Sequence, residues 1–344
     1  MGGRLVEFGI SDFGFAFGED QDVEKVAKDY VDDPERVLQW GCTTFHRAPD
    51  GVYAVDLAAE AAEQALERAG VGVDEVDLVA LATAENPEYL YWDSASALAG
   101  ALKIKKTQTL LFDNEGCGSG TTAFGQIAGT LALQPELNTA LFVVVNRVDE
   151  YRRNRMAINQ CVHSDGAVAV VLRRGHGSNR WLTTEQFTDP DLVDGFRGEY
   201  GGAVNPVPPA DWKNVDGSSV GWFQAHFGKD PKRLREFLVQ RDERVAEIVD
   251  QACARVGLTR ADLDHVIYIN DARPGAIEAV SDPLGLPIER TNAEFARTHG
   301  HMGAADQLVS LGLHLERGDL KPGEIVALCG ISAGMRWICT LFEI

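Results

Sequence analysis

Long apolar runs are missing from this chain. No stretch of about 18 consecutive apolar residues occurs, which argues against a helical membrane span. Basic residues are outnumbered, 32 against 52 acidic, for a net charge of −20. That balance argues against nucleic acid and anionic membranes as partners. None of the six cysteines forms a CxxC pair, and no His/Cys spacing looks like a zinc site. No metal and no bound cofactor are therefore expected. No GxxxxGK[ST] phosphate loop is present. The first residues, MGGRLVEFGISDF, lack a basic stretch followed by an apolar one, so no signal peptide is expected and the protein is expected to be cytoplasmic. Disulfides are not expected in that setting.

The chain does have material for a large core: 344 residues, 45% of them hydrophobic. This length fits two domains or one duplicated unit, and an internal repeat favours duplication. Residues 62–83 (AEQALERAGVGVDEVDLVALAT) align without a gap to residues 249–270 (VDQACARVGLTRADLDHVIYIN). Gln64, Ala65, Arg68, Gly70, Asp77 and Val79 meet Gln251, Ala252, Arg255, Gly257, Asp264 and Val266. Each copy reads as an amphipathic helix stopped by glycine, an acidic turn and a buried strand.

The order of elements repeats as well. Strand 108–113 leads to Gly116-Cys117-Gly118-Ser119-Gly120, a helical stretch, then strand 140–145. In the second half, THGHMGAADQLVSLGLHL precedes strand 325–329. Gly116-Cys117 and Gly300-His301 therefore occupy equivalent places, and a pseudo-twofold would bring Cys117 and His301 to one centre. The expected fold is α/β, with two duplicated halves at 1–175 and 176–344. Residues 185–235, rich in Gly, Pro and aromatics, interrupt the second half and are expected to be a loop insertion. Trp212, Trp222 and Phe223 in it either line a substrate pocket or anchor the loop to the core. Arg152, Arg153 and Arg155, and Lys229, Lys232, Arg233 and Arg235, read as solvated faces or as docking patches for an acidic carrier.

These segments together resemble the β-ketoacyl-acyl-carrier-protein synthase III group of the thiolase superfamily. The resemblance rests on GCTTFHRAPDG with the helix after it, FDNEGCGSGTTAFGQIAGTLAL, SDGAVAVVL, and the C-terminal third from IEAVSDPLGLP to ICTL. It implies a layered αβαβα fold, a homodimer, and a cysteine (here Cys117) acylated by a coenzyme A or carrier-protein thioester. It also implies a His and an Asn that stabilise a decarboxylated enolate.

The departures from that pattern carry information. Where the family has His-Gln-Ala-Asn, this chain has Ile269-Asn270-Asp271-Ala272-Arg273, without a His. Where the family has its Asn, this chain has His301, in Gly300-His301-Met302-Gly303-Ala304-Ala305. The two positions look exchanged. A Cys117–His301 pair oriented by Asn270 or Asp271 follows, with Asp306 a further candidate. Cys117 at a helix start favours the thiolate nucleophile. His301 would serve as base. The oxyanion would meet the N–H of Cys117 and that of Ala333, which matches the family's Gly-rich turn. His163 and His299 read as structural, and Asp165 matches a structural Asp of the family. The early Gly-Ile-Arg motif, whose Arg contributes to coenzyme A binding, is Gly41-Cys42-Thr43 here.

Family branches with such exchanges resemble acyltransferases acting on oxygen, nitrogen or carrier thiols. The expected protein is thus an acyltransferase taking an acyl group from an acyl-carrier protein or acyl-coenzyme A. Its acceptor is a small molecule or a second carrier, in polyketide or other secondary metabolism. A priming decarboxylative synthase and a non-catalytic partner subunit are the alternatives.

Overall fold

The computed structural model describes residues 6–113, 115–215 and 219–344. Residues 1–5 of the N-terminal stretch, Asn114 of the elbow motif and 216–218 of the insertion lie outside it. Eleven strands are described: β1 (Phe8–Phe17), β2 (Glu19–Asp22), β3 (Thr44–Arg47), β4 (Leu78–Thr83), β5 (Gln108–Phe112), β6 (Thr139–Asn146), β7 (Gly166–Arg174), β8 (Arg180–Thr188), β9 (His265–Ile267), β10 (Ile325–Ser332) and β11 (Arg336–Glu343). The helices are α1 (Val23–Tyr30), α2 (Pro34–Leu38), α3 (Ala54–Ala69), α4 (Ser94–Ala101), α5 (Ser119–Leu133), α6 (Ser219–His226), α7 (Pro231–Arg255), α8 (Glu278–Ser281), α9 (Ala293–His299) and α10 (Asp306–Arg317).

Nine strands form one sheet in the order β5-β4-β6-β7-β1-β8-β11-β10-β9. Read outward from β1, the first run is β1-β7-β6-β4. Read outward from β8, the second is β8-β11-β10-β9. In both, the first two pairings are antiparallel and the third is parallel. The runs meet edge to edge where Gly9 pairs with Arg180.

The reason lies in side-chain alternation along uniformly apolar strands. On β6, Ala140, Phe142 and Val144 join a core that includes Phe124 and Ile127 of α5 and Leu308 and Leu311 of α10. The intervening Leu141, Val143 and Val145 face a second core with Ala58, Ala61 and Ala65 of α3 and Leu98 of α4. On β10, Val326 and Leu328 face the first core, while Ala327, Cys329 and Ile331 pack with Val245, Ile248 and Val249 of α7. Helices α5 and α10 thus lie between the two strand runs, with α3 and α7 outside them: five layers, the thiolase fold.

The repeat persists in detail. The Asp77 carboxylate accepts the Thr139 N–H, while the Asp77 N–H donates to the Thr139 carbonyl. Asp264 makes the same exchange with Ile325. Gly70 ends α3 in the left-handed conformation, at φ 62°, as its place in the repeat predicts.

Two local expectations change. The segment 108–113 was expected as a buried strand, but β5 is an edge strand and is half-buried. The insertion expected at 185–235 is only partly loop, because it contains the end of β8, a 3-10 stretch at Pro190–Phe196, α6 and the start of α7. There Phe223 stacks on Phe237 at 4.8 Å and meets Phe196 edge-on at 5.7 Å, while Trp222 stacks on His226. These aromatics serve as anchors: Phe223, the buried residue of α6, packs on Phe237 of α7.

The central helices approach closely at their starts. A Cβ at Gly120 would lie 2.3 Å from the Ala304 carbonyl oxygen, so only glycine fits. Replacing Gly120 by Ala should cost about 1–3 kcal/mol of unfolding free energy. Chemical denaturation would measure it, and a loss below about 0.5 kcal/mol would contradict the packing described.

Candidate active site

Cys117 sits in a single 3-10 turn, Gly116–Gly118, between β5 and α5. The turn begins with Gly116 at φ 63°, whose missing Cβ leaves room for Ala333: an added Cβ would stand 2.9 Å from the Ala333 nitrogen. Ala333 opens the tight connection between β10 and β11. That connection is tied to the elbow by Arg336, whose guanidinium lies 2.7 Å from the Glu115 carboxylate. Thr122 on α5 donates to the same carboxylate at 2.8 Å. The backbone of Ala333 and the Cys117 turn are thus held side by side.

His301 lies in the loop between α9 and α10, equivalent to the Cys117 turn in the repeat. Its N–H donates to the Val162 carbonyl at 2.8 Å, and its own carbonyl accepts from Ser164 at 2.9 Å. The imidazole is buried. Nε2 stands 3.0 Å from Cys117 Sγ, and Nδ1 lies 2.5 Å from Asp306 Oδ2. Asp306, fully buried in the first turn of α10, also accepts from the backbone of Met302 at 2.6 Å and of Asn270 at 2.7 Å. Burial works against a charged His301. The Asp306 carboxylate, with the sulfurs of Cys117 and Cys161, outweighs it and holds the imidazole pKa well above 6.5.

The orienting contact therefore comes from Asp306, not from the residues favoured by the sequence register. The Asn270 side chain donates to the Gly300 carbonyl and accepts from Asn292, each at 2.9 and 2.8 Å; only its backbone N–H reaches Asp306. Asp271 is paired with Arg273, which in turn donates to Gln160. Asp306 was harder to weigh in the sequence because it is five residues from His301. A helix start folds back over that distance, as the Met302 N–H to Asp306 bond shows.

The other sequence candidates fall as follows. Trp222 and Phe223 belong to the α6–α7 packing described above. Trp212 rests on Tyr151 and Tyr200, at 6.5 and 6.0 Å between ring centres. The three arginines of the EYRRNR segment do not share one exposed face: Arg152 is exposed and pairs with Asp149 at 2.8 Å. Arg155 is fully buried against Asp165 and Glu150, and Arg153 pairs with buried Glu85 at 3.2 Å. Arg153 is within electrostatic reach of Cys117 and Cys161. Asp165 also accepts from the backbone of Ala48 and Val148, a structural role. His299 packs among Phe17, His46 and Phe295, and burial lowers its pKa to about 4. Lys229, Lys232, Arg233 and Arg235 are exposed around the start of α7.

Two further residues border this centre: Cys161, which the sequence did not single out, and His163, which it read as structural. Cys161 Sγ lies 3.5 Å from His163 Nε2, and the His163 ring is 5.4 Å from that of His301. The signal was the pairing of their two segments, which no local pattern reveals. No helix among the described residues is long and apolar enough to cross a membrane.

Known proteins share this architecture. The family described as 3-oxoacyl-[acyl-carrier-protein] synthase III, C-terminal, matches residues 253–344. The β-ketoacyl-[acyl-carrier-protein] synthase III of Synechocystis sp. is 27% identical over 83% of this chain and 82% of its own. That of Acaryochloris marina is 29% identical over 88% and 86%. Among solved structures, the acyltransferase ChlB3 superposes with a TM-score of 0.84 at 24% identity, covering 98% of both chains. FabH of Pseudomonas aeruginosa PAO1 gives 0.78 at 24%, also covering 98% of each. OleA of Xanthomonas campestris gives 0.76 at 17%, covering 99% of each. These solved structures show the shared fold. Over more than four fifths of its length the chain is similar to β-ketoacyl-[acyl-carrier-protein] synthase III proteins, and its last 92 residues match the C-terminal model of that family.

Replacing Asp306 by Asn should slow iodoacetamide alkylation of Cys117 by on the order of 10²-fold near neutral pH, while Asp271→Asn stays within a few-fold. Peptide mass mapping at timed intervals would read both, and equal effects would contradict the assignment. Because His301 is raised when folded, its contribution to stability is fully present below about pH 6.5 and is lost as pH rises through the folded value. Asp306→Asn should remove that contribution, so its stability deficit should be largest in mild acid and shrink at alkaline pH in denaturation curves.

Proposed function

We propose that this protein is an acyltransferase that carries its acyl group on Cys117 and delivers it directly to an oxygen, nitrogen or carrier-thiol acceptor. The observation carrying the reading is the line Cys117 Sγ–His301 Nε2 and His301 Nδ1–Asp306. His301 takes the Cys117 proton as sulfur attacks the thioester carbonyl. The backbone N–H groups of Cys117 and Ala333 receive the oxyanion. Collapse forms the acyl-Cys117 thioester and expels the donor thiolate, which takes the proton back from His301. In the second half His301 takes a proton from the acceptor O–H, N–H or S–H. The acceptor attacks the acyl-Cys117 carbonyl, and Cys117 leaves as thiolate and is reprotonated.

Decarboxylative condensation is the second reading, favoured by the names of the β-ketoacyl synthase III relatives. It needs two neutral donors facing the enolate oxygen. In this chain one Asn270 side-chain N–H is engaged by the Gly300 carbonyl and the His301 Nδ1–H by Asp306. His301 Nε2 alone stays directed at the cysteine, an arrangement suited to a base. A carrier protein suits the donor better than free coenzyme A, because Gly41-Cys42-Thr43 lacks the Arg that the family uses. The exposed basic residues at the start of α7 offer a surface for such an acidic carrier. A homodimer and a place in secondary metabolism complete the reading.

The test is incubation with acyl-carrier and acyl-coenzyme A thioesters, reading intact mass. One acyl adduct is expected on the wild type and none on Cys117→Ala. His301→Ala should load about 10²–10⁴-fold more slowly. Discharge of the loaded enzyme to an alcohol, amine or thiol without carbon dioxide supports acyl transfer. A β-ketoacyl product with stoichiometric carbon dioxide from malonyl-carrier protein would establish the second reading instead.

A further inference from the structure

Cys161 and His163 have no part in the acyl-transfer steps above, yet they border the same centre. The Val162 and Ser164 backbone groups bond to both sides of His301, so residues 161–164 run beside it in register. One ligand atom from each of Cys161, His163 and His301 lies within 4.8 Å of the other two. The Cys161 Sγ to His163 Nε2 separation is 3.5 Å. A tetrahedral zinc centre with Zn–S near 2.3 Å and Zn–N near 2.0–2.1 Å needs an S–N edge of roughly 3.6 Å. His301 Nδ1 is engaged by Asp306, which leaves Nε2 as its ligating atom and supplies the carboxylate behind the histidine that metal sites commonly have. A cavity of about 10 Å³ adjoins Cys161 and His301, bordered also by Cys42, Asn270 and Gly300.

We infer that Cys161, His163 and His301 form a binding site for a soft divalent cation of the zinc class, and that its occupation takes His301 Nε2 away from Cys117. One thiolate and two imidazoles form a donor set suited to zinc rather than to magnesium or calcium. Binding forms one metal–sulfur and two metal–nitrogen bonds, and both the Cys161 thiol proton and the Nε2 proton of the His301 imidazolium pass to solvent. The fourth position is left to solvent or to Cys117 Sγ, 3.0 Å from the same nitrogen. The site is a regulatory or inhibitory one. Binding itself does not rest on the proposed acyl transfer; only its inhibitory consequence does.

The experiment titrates Co²⁺ into the metal-stripped full-length protein and records its spectrum. Tetrahedral visible bands and a thiolate-to-cobalt charge-transfer band, saturating at one equivalent, are expected. Cys161→Ser should lose the charge-transfer band, and both it and His163→Asn should weaken binding at least about tenfold. Absence of the bands in the wild type, or unchanged bands in Cys161→Ser, would overturn the inference. In parallel, Zn²⁺ should suppress alkylation of Cys117 in the wild type, reversibly with chelator, and do so at least about tenfold less effectively in Cys161→Ser. Equal suppression in the two would place the metal elsewhere. Neither readout depends on an acyl donor, so failure of the metal site and failure of the acyltransferase reading remain separable.

Discussion

A buried carboxylate one bond from a buried imidazole sets the terms for the rest of this site. Asp306 accepts from His301 and from two backbone N–H groups, of Met302 and Asn270. An imidazolium in that position would be costly without a partner, because burial alone depresses it. With Asp306 the balance reverses. The imidazole is then fixed in orientation, with Nε2 facing Cys117 and Nδ1 out of use. Sulfur, imidazole and carboxylate thus stand in line, drawn from separate points of one chain, and the proposed acyl transfer relies on that line.

The duplicated fold is what brings those points together. Cys117 and His301 each precede a central helix, and α5 and α10 lie between the two strand runs with their starts in close contact at Gly120 and Ala304. The β10–β11 connection then reaches across to the Cys117 turn, fastened by Arg336 and Glu115. None of this requires the reactive side chains to be near in sequence. It requires that both halves pack their central helices in the same sense, which the matched order of strand pairings enforces.

Much of this was legible in the sequence, and the reasons differ from residue to residue. The helix ending at Gly70, the strands β6 and β10, and the equivalence of the two elbows follow from periodicity, glycine placement and the repeat. The exchange of His and Asn positions was visible in Gly300-His301 and Ile269-Asn270. The orienter was not settled there, because it depends on where a carboxylate at a helix start points, and Asn270 and Asp271 are equally polar on paper. The end of strand β8 and helix α6 lie inside a segment whose glycines and prolines read as loop; their stability comes from pairing with β11 and packing on α7. Arg155 reads as a surface charge in EYRRNR, yet it is fully buried, since its partners Asp165 and Glu150 arrive from elsewhere in the fold.

The most direct measurement is the titration of the His301 imidazole by NMR in the full-length protein, assigned by comparison with His301→Gln. A pKa well above 6.5 is expected in the wild type, falling in Asp306→Asn and little changed in Asp271→Asn. A His301 that titrates near 6.5 and is indifferent to the loss of Asp306 would contradict it.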